Sequence, residues 1–435
     1  MRMPVLIKSP KIIITGLILL LLSVCGCGRS GRPYVYYLNY KPEADAAWQE
    51  LATEYTELSG VPVKVVTAAS NTYSDTLGAQ LNKSACPTFF NCRNIQEVEN
   101  MRDYAMDLNG TKMADRLMTR DFCLEGENGE LYGIGFCYEA YGLITNKALL
   151  KEAGYDVCDI NNFDQLKAAA EDIHSRRDEL GFDAFTSSGL DASSSWRFSG
   201  HLANMPLYCE FEKNGIVTQP AEITGEYIDL YKNTWDLYIN NSTASGNDLS
   251  SATGNKAEDE FGSGKAVFYQ NGTWEYSVLT DPEKYGMTPD DLAMIPIYCG
   301  AQGEENFGLC CGTENYWVIN SKADKESIDA TLDFLDWVVT SEAGRKMLAD
   351  EFGVTPFKDA LPTDNVFFQD EQRYEEAGRH PVTWEFSKTP NADVWRSGVT
   401  SALTGYSAGN GSWEDVENAF INGWKYQYRL EHGIM

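Results

Sequence analysis

The chain has 435 residues, with 64 acidic and 35 basic side chains, and carries a formal charge of −29 at pH 7. A negative excess of this size argues against nucleic acid and anionic membrane surfaces as partners, and against an anionic ligand attracted from a distance. The length favours two large lobes rather than one small domain.

The N-terminal residues 1–26 have the layout of a secretory signal peptide, in which a basic start precedes an apolar stretch, Ile12–Val24. This stretch is too short to cross a bilayer comfortably, since a spanning helix takes about 20 apolar residues. The residues that follow resemble a bacterial lipobox with Cys27 as the acylated residue, because Val24 and Gly26 provide the aliphatic and the small residue before it. The alternative is an ordinary secretory signal in which the cysteines are incidental.

Nine cysteines follow Cys27, an odd number without any Cys-x-x-Cys spacing. A disulfide framework in an exported protein favours a denser and even set, so we expect most of these residues to be buried free thiols. One or two disulfides stay open as an alternative. The four histidines are not spaced as metal ligands, so we expect neither a zinc site nor a cofactor.

The next part of the chain alternates between strand-like and helix-like patterns. Residues 34–40, 61–70 and 86–93 predict three strands, and residues 41–60 and 71–83 predict the helices between them. This alternation predicts a parallel sheet, whose ligands bind at the carboxyl ends of the strands. The side chains at these ends are therefore candidate ligand contacts: Asn39, Lys41, Ser70, Asn71, Tyr73, Asn91 and Arg93.

Three later stretches carry a family resemblance. FGSGKAVFYQNGTWEY, residues 261–276, is similar to the pattern Phe-x-x-Gly-Lys-Ala-Ala-Met-x-x-x-Gly-x-Trp. Residues 141–156 add a strand with an Asn-Lys pair, and residues 316–356 add a strand and two helices joined by a Ser-Glu-x-Gly cap. With these stretches in this order, the mature chain resembles the extracellular solute-binding lipoproteins of carbohydrate ABC importers, the maltose-binding-protein-like family 1.

The resemblance implies an α/β fold of the two-lobe, type II periplasmic-binding-protein kind. Each lobe would be a sheet flanked by helices, with the ligand cleft at the hinge. The chain would cross the hinge near Phe136–Tyr141, Ile295–Cys299 and Gly353–Pro356, and closure on the ligand would be a hinge motion. The expected limits are a signal peptide at 1–26, a lipidated tether at 27–33, one lobe at 34–138 and 299–353, and the other lobe at 139–298 and 354–435.

A sugar site needs flat rings that pack against the C–H faces of the sugar, and polar groups that pair with its hydroxyls. By resemblance, Trp274 and Trp395 match stacking aromatics, and Glu139 with its neighbour Tyr138 falls at the hinge. A core tryptophan and a structural acid are the alternatives for Trp274 and Glu139. Four further candidates complete the predicted site: Trp196, Arg197, Glu314 and Asn315.

The resemblance implies that the chain is not an enzyme but the substrate-binding component of an ABC importer, which captures a sugar or oligosaccharide and delivers it to the membrane permease. We expect a monomer, lipid-anchored to the outer face of the cytoplasmic membrane, with the importer's transmembrane subunits as partners. A Gram-positive surface and a Gram-negative periplasm are both compatible with this, and the composition favours the former. Two alternatives stay open, namely a binding lipoprotein for a non-sugar solute such as a peptide, and a secreted carbohydrate-active hydrolase. A hydrolase would need two carboxylates facing each other across a cleft, and 64 acidic residues single out no such pair.

Overall fold

Two sheets with helices on their faces organise the fold. The computed structural model describes residues 32–69, 72–187 and 189–434. Within these ranges the strands are β1 Val35–Asn39, β2 Val63–Thr67, β3 Phe89–Cys92, β4 Cys123–Glu125, β5 Leu131–Gly135, β6 Glu139–Asn146, β7 Asp183–Phe185, β8 Ala266–Gly272, β9 Leu292–Ile295, β10 Phe307–Gly312, β11 Tyr316–Ile319 and β12 His380–Thr383. The α-helices of the same ranges are α1 Asp45–Ser59, α2 Tyr73–Leu81, α3 Ile95–Asn100, α4 Lys112–Arg116, α5 Lys147–Glu152, α6 Phe163–Ser175, α7 Arg177–Leu180, α8 Asn204–Asn214, α9 Ile228–Asn240, α10 Gly254–Gly262, α11 Glu275–Thr280, α12 Lys325–Thr340, α13 Glu342–Glu351, α14 Val366–Glu376, α15 Ala392–Ser407 and α16 Trp413–Glu431.

The first sheet has the strand order β2-β1-β3-β11-β5-β4. Strand β1 is parallel to both β2 and β3, because α1 and α2 carry the chain back between successive strands. The helix predicted at 41–60 ends at Ser59, where Gly60 takes a left-handed conformation with a φ of 73°. Strand β11 joins from much later in the sequence and is antiparallel to β3 and β5.

The second sheet has the strand order β12-β10-β6-β8-β7, with β9 also paired to β6. Strand β6 is its centre and pairs antiparallel with β8 on one side and with β10 and β9 on the other. Strand β12 runs parallel to β10, and β7 runs parallel to β8.

Apolar side chains cover both faces of each sheet. In β1, Tyr37 and Leu38 belong to different clusters, since successive side chains of a strand point to opposite faces. In β6, Leu143 and Ile144 divide between two further clusters in the same way. Strands that are buried on both faces read as continuous apolar runs in the sequence, as β1 does. The predicted α/β class, with each sheet flanked by helices, is confirmed.

The strand pairing shows where the chain changes sheet. It leaves the first sheet after β5 and enters the second at Glu139, within the crossing expected near Phe136–Tyr141. It returns between β10 and β11, through residues 313–315, rather than near Ile295–Cys299 as the sequence suggests. Strand β10 thus pairs within the second sheet, although the expected first lobe includes its residues. A buried apolar run does not reveal which sheet it joins, and the lobe limits stay a prediction.

The third expected crossing, near Gly353–Pro356, runs beside the first. Tyr138 and Val354 form an isolated antiparallel bridge. Helix α13 packs into a core of the first sheet, and α14 contacts β9 of the second sheet. The chain therefore passes from one sheet to the other between these two helices.

Several predictions concern residues outside the described ranges: the signal peptide, the acylated Cys27, and the strand-end residues Ser70 and Asn71. No helix among the residues described has the length and apolar character needed to cross a membrane. The nine cysteines of the described ranges are all free thiols. Five of them are buried, and Cys158 is exposed.

Candidate ligand-binding site

A cavity of about 170 Å³ lies between the two sheets. Strand ends and loops of both sheets form its walls, so that neither sheet encloses it alone. The lining residues are Tyr40, Lys41, Pro42, Glu43, Ala69, Tyr73, Arg93, Glu139, Trp196, His201, Trp274, Glu275, Glu314, Asn315, Trp384, Asp393 and Arg396.

The first sheet contributes the carboxyl ends of its three parallel strands. Lys41 and its neighbours follow β1, Ala69 and Tyr73 follow β2, and Arg93 follows β3. These ends meet at one edge of the sheet because the strands run parallel, which is the geometry that directs ligands there. Three of the residues named by the strand-end rule, Lys41, Tyr73 and Arg93, therefore line this wall, and their contact with a ligand stays a prediction.

The second sheet contributes strand ends as well. Trp274 and Glu275 follow β8, and Trp384 follows β12. A π-helical turn, Arg197–Leu202, brings His201 to the cavity, with Trp196 directly before it. The hinge segments complete the wall with residues from the start of β6 and from the connection between β10 and β11.

Four rings on the side of the second sheet form an aromatic wall, consisting of Trp196, His201, Trp274 and Trp384. The ring centroids of His201 lie 4.9 Å from Trp196, 5.6 Å from Trp274 and 6.1 Å from Trp384. The His201 ring also stacks on Tyr141 at 3.9 Å with nearly parallel planes. Burial, together with the Arg396, Lys41 and Arg197 cations, lowers the pKa of His201 well below its usual range. The imidazole is therefore neutral at pH 7 and acts as one more flat ring.

Trp274 is held in place by Asn271 and Gly272, the last two residues of β8. The indole Nε1 donates to Asn271 Oδ1 at 2.8 Å, while Asn271 Nδ2 donates to Tyr269 and to Glu275 Oε1, both at 2.7 Å. A Cβ atom on Gly272 would lie 2.3 Å from the indole ring, so a glycine is needed for the ring to fold over the strand end. This contact gives a physical reason for the Gly-x-Trp spacing seen in the sequence.

A buried ion pair joins the first strand to the hinge. Lys41 Nζ lies 2.7 Å from Glu139 Oε1 and 3.4 Å from Glu43, and Glu139 Oε2 accepts from Asn315 Nδ2 at 2.7 Å. Glu139 is 3% exposed. Burial alone would lower the pKa of Lys41, but the Glu139 and Glu43 carboxylates outweigh it and raise that pKa. The Lys41 ammonium is therefore charged at any physiological pH, and the carboxylates of Glu139 and Glu43 balance its charge.

Two further ion pairs involve α15. Arg93 lies 2.7 Å from Asp393, and Arg396 lies 3.4 Å from Glu314. Together with Lys41, this means that each of the cavity's three cations already contacts a carboxylate. An anionic ligand would have to compete with these acids for its counter-charge.

Five polar atoms of the lining residues are buried without a hydrogen-bond partner among the residues described. They are His201 Nδ1, Glu275 Oε2, Asn315 Oδ1, Trp384 Nε1 and Arg396 Nε. These atoms are available to pair with a bound ligand, and a buried polar atom that a ligand leaves without a partner costs about 1–3 kcal/mol. The set contains both donors and acceptors, which suits a ligand whose own groups donate and accept.

The structure brings eight of the predicted site residues to the cavity and places five others elsewhere. The eight are Lys41, Tyr73, Arg93, Glu139, Trp196, Trp274, Glu314 and Asn315. Two of the five support strand ends: Asn39 Nδ2 donates to the Lys41 carbonyl and to Thr67, and Asn91 accepts from Tyr37. Both point back into the sheet because side chains alternate along a strand.

The other three lie in different surroundings. Tyr138 donates to Glu371 at 3.1 Å, outside the cavity lining. Arg197 is buried and donates to the Gln270 carbonyl and to Ser194. Trp395, predicted to stack on the sugar, is 2% exposed and packs in the core against Phe420 and Trp424.

Sequence reasoning missed several lining residues, among them His201, Glu275, Trp384, Asp393 and Arg396. Asp393 and Arg396 are three apart in α15 and share one helix face, while Trp395 between them faces the core. The strand-end rule would have found Trp384, which directly follows β12. His201 carries no sequence signal of its own, because its position depends on the π-helical turn.

The sequence matches the family described as bacterial extracellular solute-binding protein over residues 50–375. This span covers well over half of the chain, and the chain belongs to this family. No curated protein matches it.

Solved structures resemble the chain over most of its length. RafE in complex with raffinose has 17% identity and a TM-score of 0.71, and covers 90% of this chain and 99% of its own. The GacH receptor of Streptomyces glaucescens, solved unliganded and with acarbose, has 17% identity and a TM-score of 0.66, with 91% and 98% covered. A sugar transporter of Bacillus licheniformis in complex with stachyose has 15% identity and a TM-score of 0.68, with 91% and 99% covered. At these identities the likeness establishes the shared two-lobe fold.

Proposed function

We propose that this protein is the substrate-binding component of an ABC importer, which captures a sugar or oligosaccharide in the cavity between the two sheets and delivers it to the membrane permease. The observation that carries the proposal is the meeting of the aromatic wall with unpartnered buried donors and acceptors in one cavity. The family is a family of solute-binding proteins, and the proposal adds the class of solute.

The two halves of the cavity match the two kinds of surface that a sugar presents. The C–H faces of a sugar ring are apolar and pack against flat aromatic side chains such as Trp274. The hydroxyls both donate and accept, so that Asn315 Oδ1 and Arg396 Nε would each find a partner in them. A site with several unpaired polar atoms discriminates strongly against ligands that cannot pair with them.

The solved neighbours support this class of solute. The three solved structures described above contain raffinose, acarbose and stachyose, respectively, as ligands of those proteins. We extend the same ligand class, but no particular sugar, to this chain.

The proposed closure follows from contacts that span the cavity. Arg93 at the end of β3 pairs with Asp393 of α15, and Asn94 donates to the Ser387 carbonyl at 2.9 Å. These contacts join the strand ends of the first sheet to elements packed on the second. A sugar bound between the sheets would be enclosed by them, and the closed form would be the one that the importer recognises.

The proposed attachment to the membrane rests on sequence alone. Family membership places the protein outside the cytoplasm. We propose that a lipid on Cys27 anchors it there as a monomer, on the outer face of the cytoplasmic membrane, next to the importer's transmembrane subunits.

A thermal-shift screen tests the function directly, on the chain from residue 28 onward, which contains all described residues. The panel holds neutral mono- and oligosaccharides, amino acids and short peptides. A ligand at a hundred times its dissociation constant adds about 2.7 kcal/mol to the free energy of unfolding, which raises the melting temperature measurably. We expect a shift with one class of sugar, recovered unchanged by chromatography. A shift with peptides alone, or recovery of cleaved sugar, would contradict the proposal.

A further inference from the structure

Glu275 differs from the other acidic residues that line the cavity. Four of the five contact a cation: Glu43 and Glu139 contact Lys41, Glu314 contacts Arg396, and Asp393 contacts Arg93. Among the residues described, Glu275 forms no ion pair at all. Glu275 is therefore the one carboxyl group of the cavity that no cation of the described residues contacts.

The two oxygens of this carboxyl group have different surroundings. Oε1 accepts from Asn271 Nδ2 at 2.7 Å, so the side chain is held in a fixed orientation. Oε2 is buried and has no partner within the described part of the chain. The adjacent Trp274 and the rest of the aromatic wall line the same cavity. In its ionised form this carboxyl group binds a cation by ion pairing, and adjacent aromatic faces add cation–π contact. The Lys41 ammonium already lies 4.9 Å from the centroid of the Trp274 ring.

The charged groups around Glu275 do not replace such a partner. Burial, followed by the Glu258 carboxylate, raises the pKa of Glu275 to about 8, while Arg197 and Lys284 lower it and Glu43 raises it further. Of these two cations, Arg197 lowers the pKa of Glu275 more, and it directs its guanidinium to Ser194 and to a main-chain carbonyl. In the empty cavity at pH 6.5, the carboxyl group therefore holds a proton.

We propose that the sugar taken up by this protein carries a protonated amine, as in an amino sugar, and that Glu275 is its counter-ion in the cavity. This inference rests on the proposed function and narrows the class of sugar. The amine would lie against the aromatic wall and donate to Glu275 Oε2. The hydroxyls of the same sugar would pair with the other unpartnered atoms, such as Asn315 Oδ1, whose side chain is 1% exposed.

Binding of an amino sugar should release a proton from the protein, whereas binding of a neutral sugar should not. The protonated amine replaces the proton of Glu275 as its partner, so the carboxyl group ionises and the proton leaves to the buffer. The bound pair is then a carboxylate and an ammonium group. A neutral sugar accepts the existing proton in a hydrogen bond and releases none.

Calorimetric titration at pH 6.5 tests this, in two buffers of different ionisation enthalpy. The probes are glucosamine and its β-1,4-linked dimer, with N-acetylglucosamine, glucose and cellobiose as uncharged counterparts. We expect an amino sugar to bind at least tenfold more tightly than its counterparts and to release close to one proton. The proton count is taken on the unmodified protein, so it does not depend on whether a variant folds.

Two variants sharpen the result. Glu275→Gln should abolish proton release and most of the tenfold preference, while Glu283→Gln, at an exposed residue beyond α11, should change neither. If neutral sugars bind as tightly as amino sugars and no proton is released, this inference is overturned while the proposed function stands. If none of these probes binds while a neutral sugar of the thermal-shift panel does, this inference is overturned and the proposed function stands; if no sugar of that panel binds either, both fail.

Discussion

The guanidinium of Arg93 donates to both carboxylate oxygens of Asp393, at 2.7 and 3.1 Å, although 300 residues separate the two in sequence. Arg93 directly follows β3 of the first sheet. Asp393 lies in α15, which also contains Trp395, a residue of the main core of the second sheet. Ser74 adds a hydrogen bond to the same carboxylate at 3.1 Å. One bidentate pair thus holds the two sides of the cavity together.

This pair should contribute measurably to stability. In a double-mutant cycle of Arg93→Ala and Asp393→Ala, we expect a coupling free energy of about 1 kcal/mol at pH 7, measured by urea unfolding. Arg93 is 9% exposed and Asp393 is 37% exposed, so solvent screens the pair on one side only. The exposed pair Lys112–Asp333 is the matched control and should give a clearly smaller coupling. Equal coupling free energies in the two cycles would show that the Arg93–Asp393 pair stabilises the fold no more than an exposed ion pair does.

The same pair should weaken in acid. Burial alone would raise the pKa of Asp393, but Arg93 outweighs it and lowers that pKa below its usual range. A carboxyl group with a lowered folded-state pKa stabilises the fold above its unfolded pKa, near 4, and this contribution is lost as the pH falls. Repeating the cycle at pH 3 to 4 should therefore give a smaller coupling than at pH 7. A coupling that is independent of pH over this range would contradict the assignment.

Glu275 should produce the opposite dependence on pH. Its pKa is raised to about 8, so between pH 5 and 8 the folded chain keeps a proton that the unfolded chain releases. Stability then falls as the pH rises, by up to about 1.4 kcal/mol per pH unit from this group. The difference between the parent protein and Glu275→Gln, measured by urea unfolding at pH 5, 6.5 and 8, should show this slope, and Glu283→Gln should not. A flat difference would mean that Glu275 is ionised in the empty cavity.

Two tryptophans, both predicted from sequence to stack on a sugar, should respond differently to replacement by alanine. Trp274→Ala should weaken sugar binding at least tenfold, because it removes a face of the cavity. Trp395→Ala should leave a vacant volume in the core and lower the free energy of unfolding by about 3–5 kcal/mol. Titration calorimetry and urea unfolding of both variants separate the two effects. A loss of affinity that is larger in Trp395→Ala, with the fold intact, would reverse the assignment.

The Lys41–Glu139 pair should be costly to break from one side. Glu139→Gln leaves the Lys41 ammonium buried with only Glu43 as an acidic partner, and we expect a loss of about 3–5 kcal/mol in the free energy of unfolding. Lys41→Met combined with Glu139→Gln should recover part of that loss, because no unpaired charge is left inside. The exposed pair Lys346–Asp350 serves as the control, where Asp350→Asn should cost well under 1 kcal/mol. A double variant less stable than the single one would argue against this account.

The sequence was informative where one local pattern decides the structure. The continuous apolar run of β1 predicts a strand buried on both faces, and the strands that follow in alternation with helices predict the parallel edge where Lys41, Tyr73 and Arg93 meet. The same pattern did not show which strand-end side chains point inward. Asn39 and Asn91 belong to the same strand ends but turn toward the sheet, where they hold neighbouring backbone and side chains.

The rest of the site depends on contacts between distant segments. Helix α15 is covered on two faces, so its sequence alone does not decide whether Trp395 or the pair Asp393 and Arg396 reaches the cavity. Strand β12 has four residues, one of them a proline, and is paired on one edge, which weakens its strand signal and hid Trp384. The change of sheet after β10 was missed for a related reason. The sequence of β10 indicates a buried strand, but it does not indicate which strands pair with it.

A crystal structure of the protein with the sugar that gives the largest thermal shift tests the central claim most directly. We expect an intact sugar in the cavity between the sheets, with a ring face against Trp274 and hydrogen bonds to Asn315 and Arg396. A sugar bound elsewhere while this cavity stays empty, or a cleaved sugar within it, would overturn the proposed function.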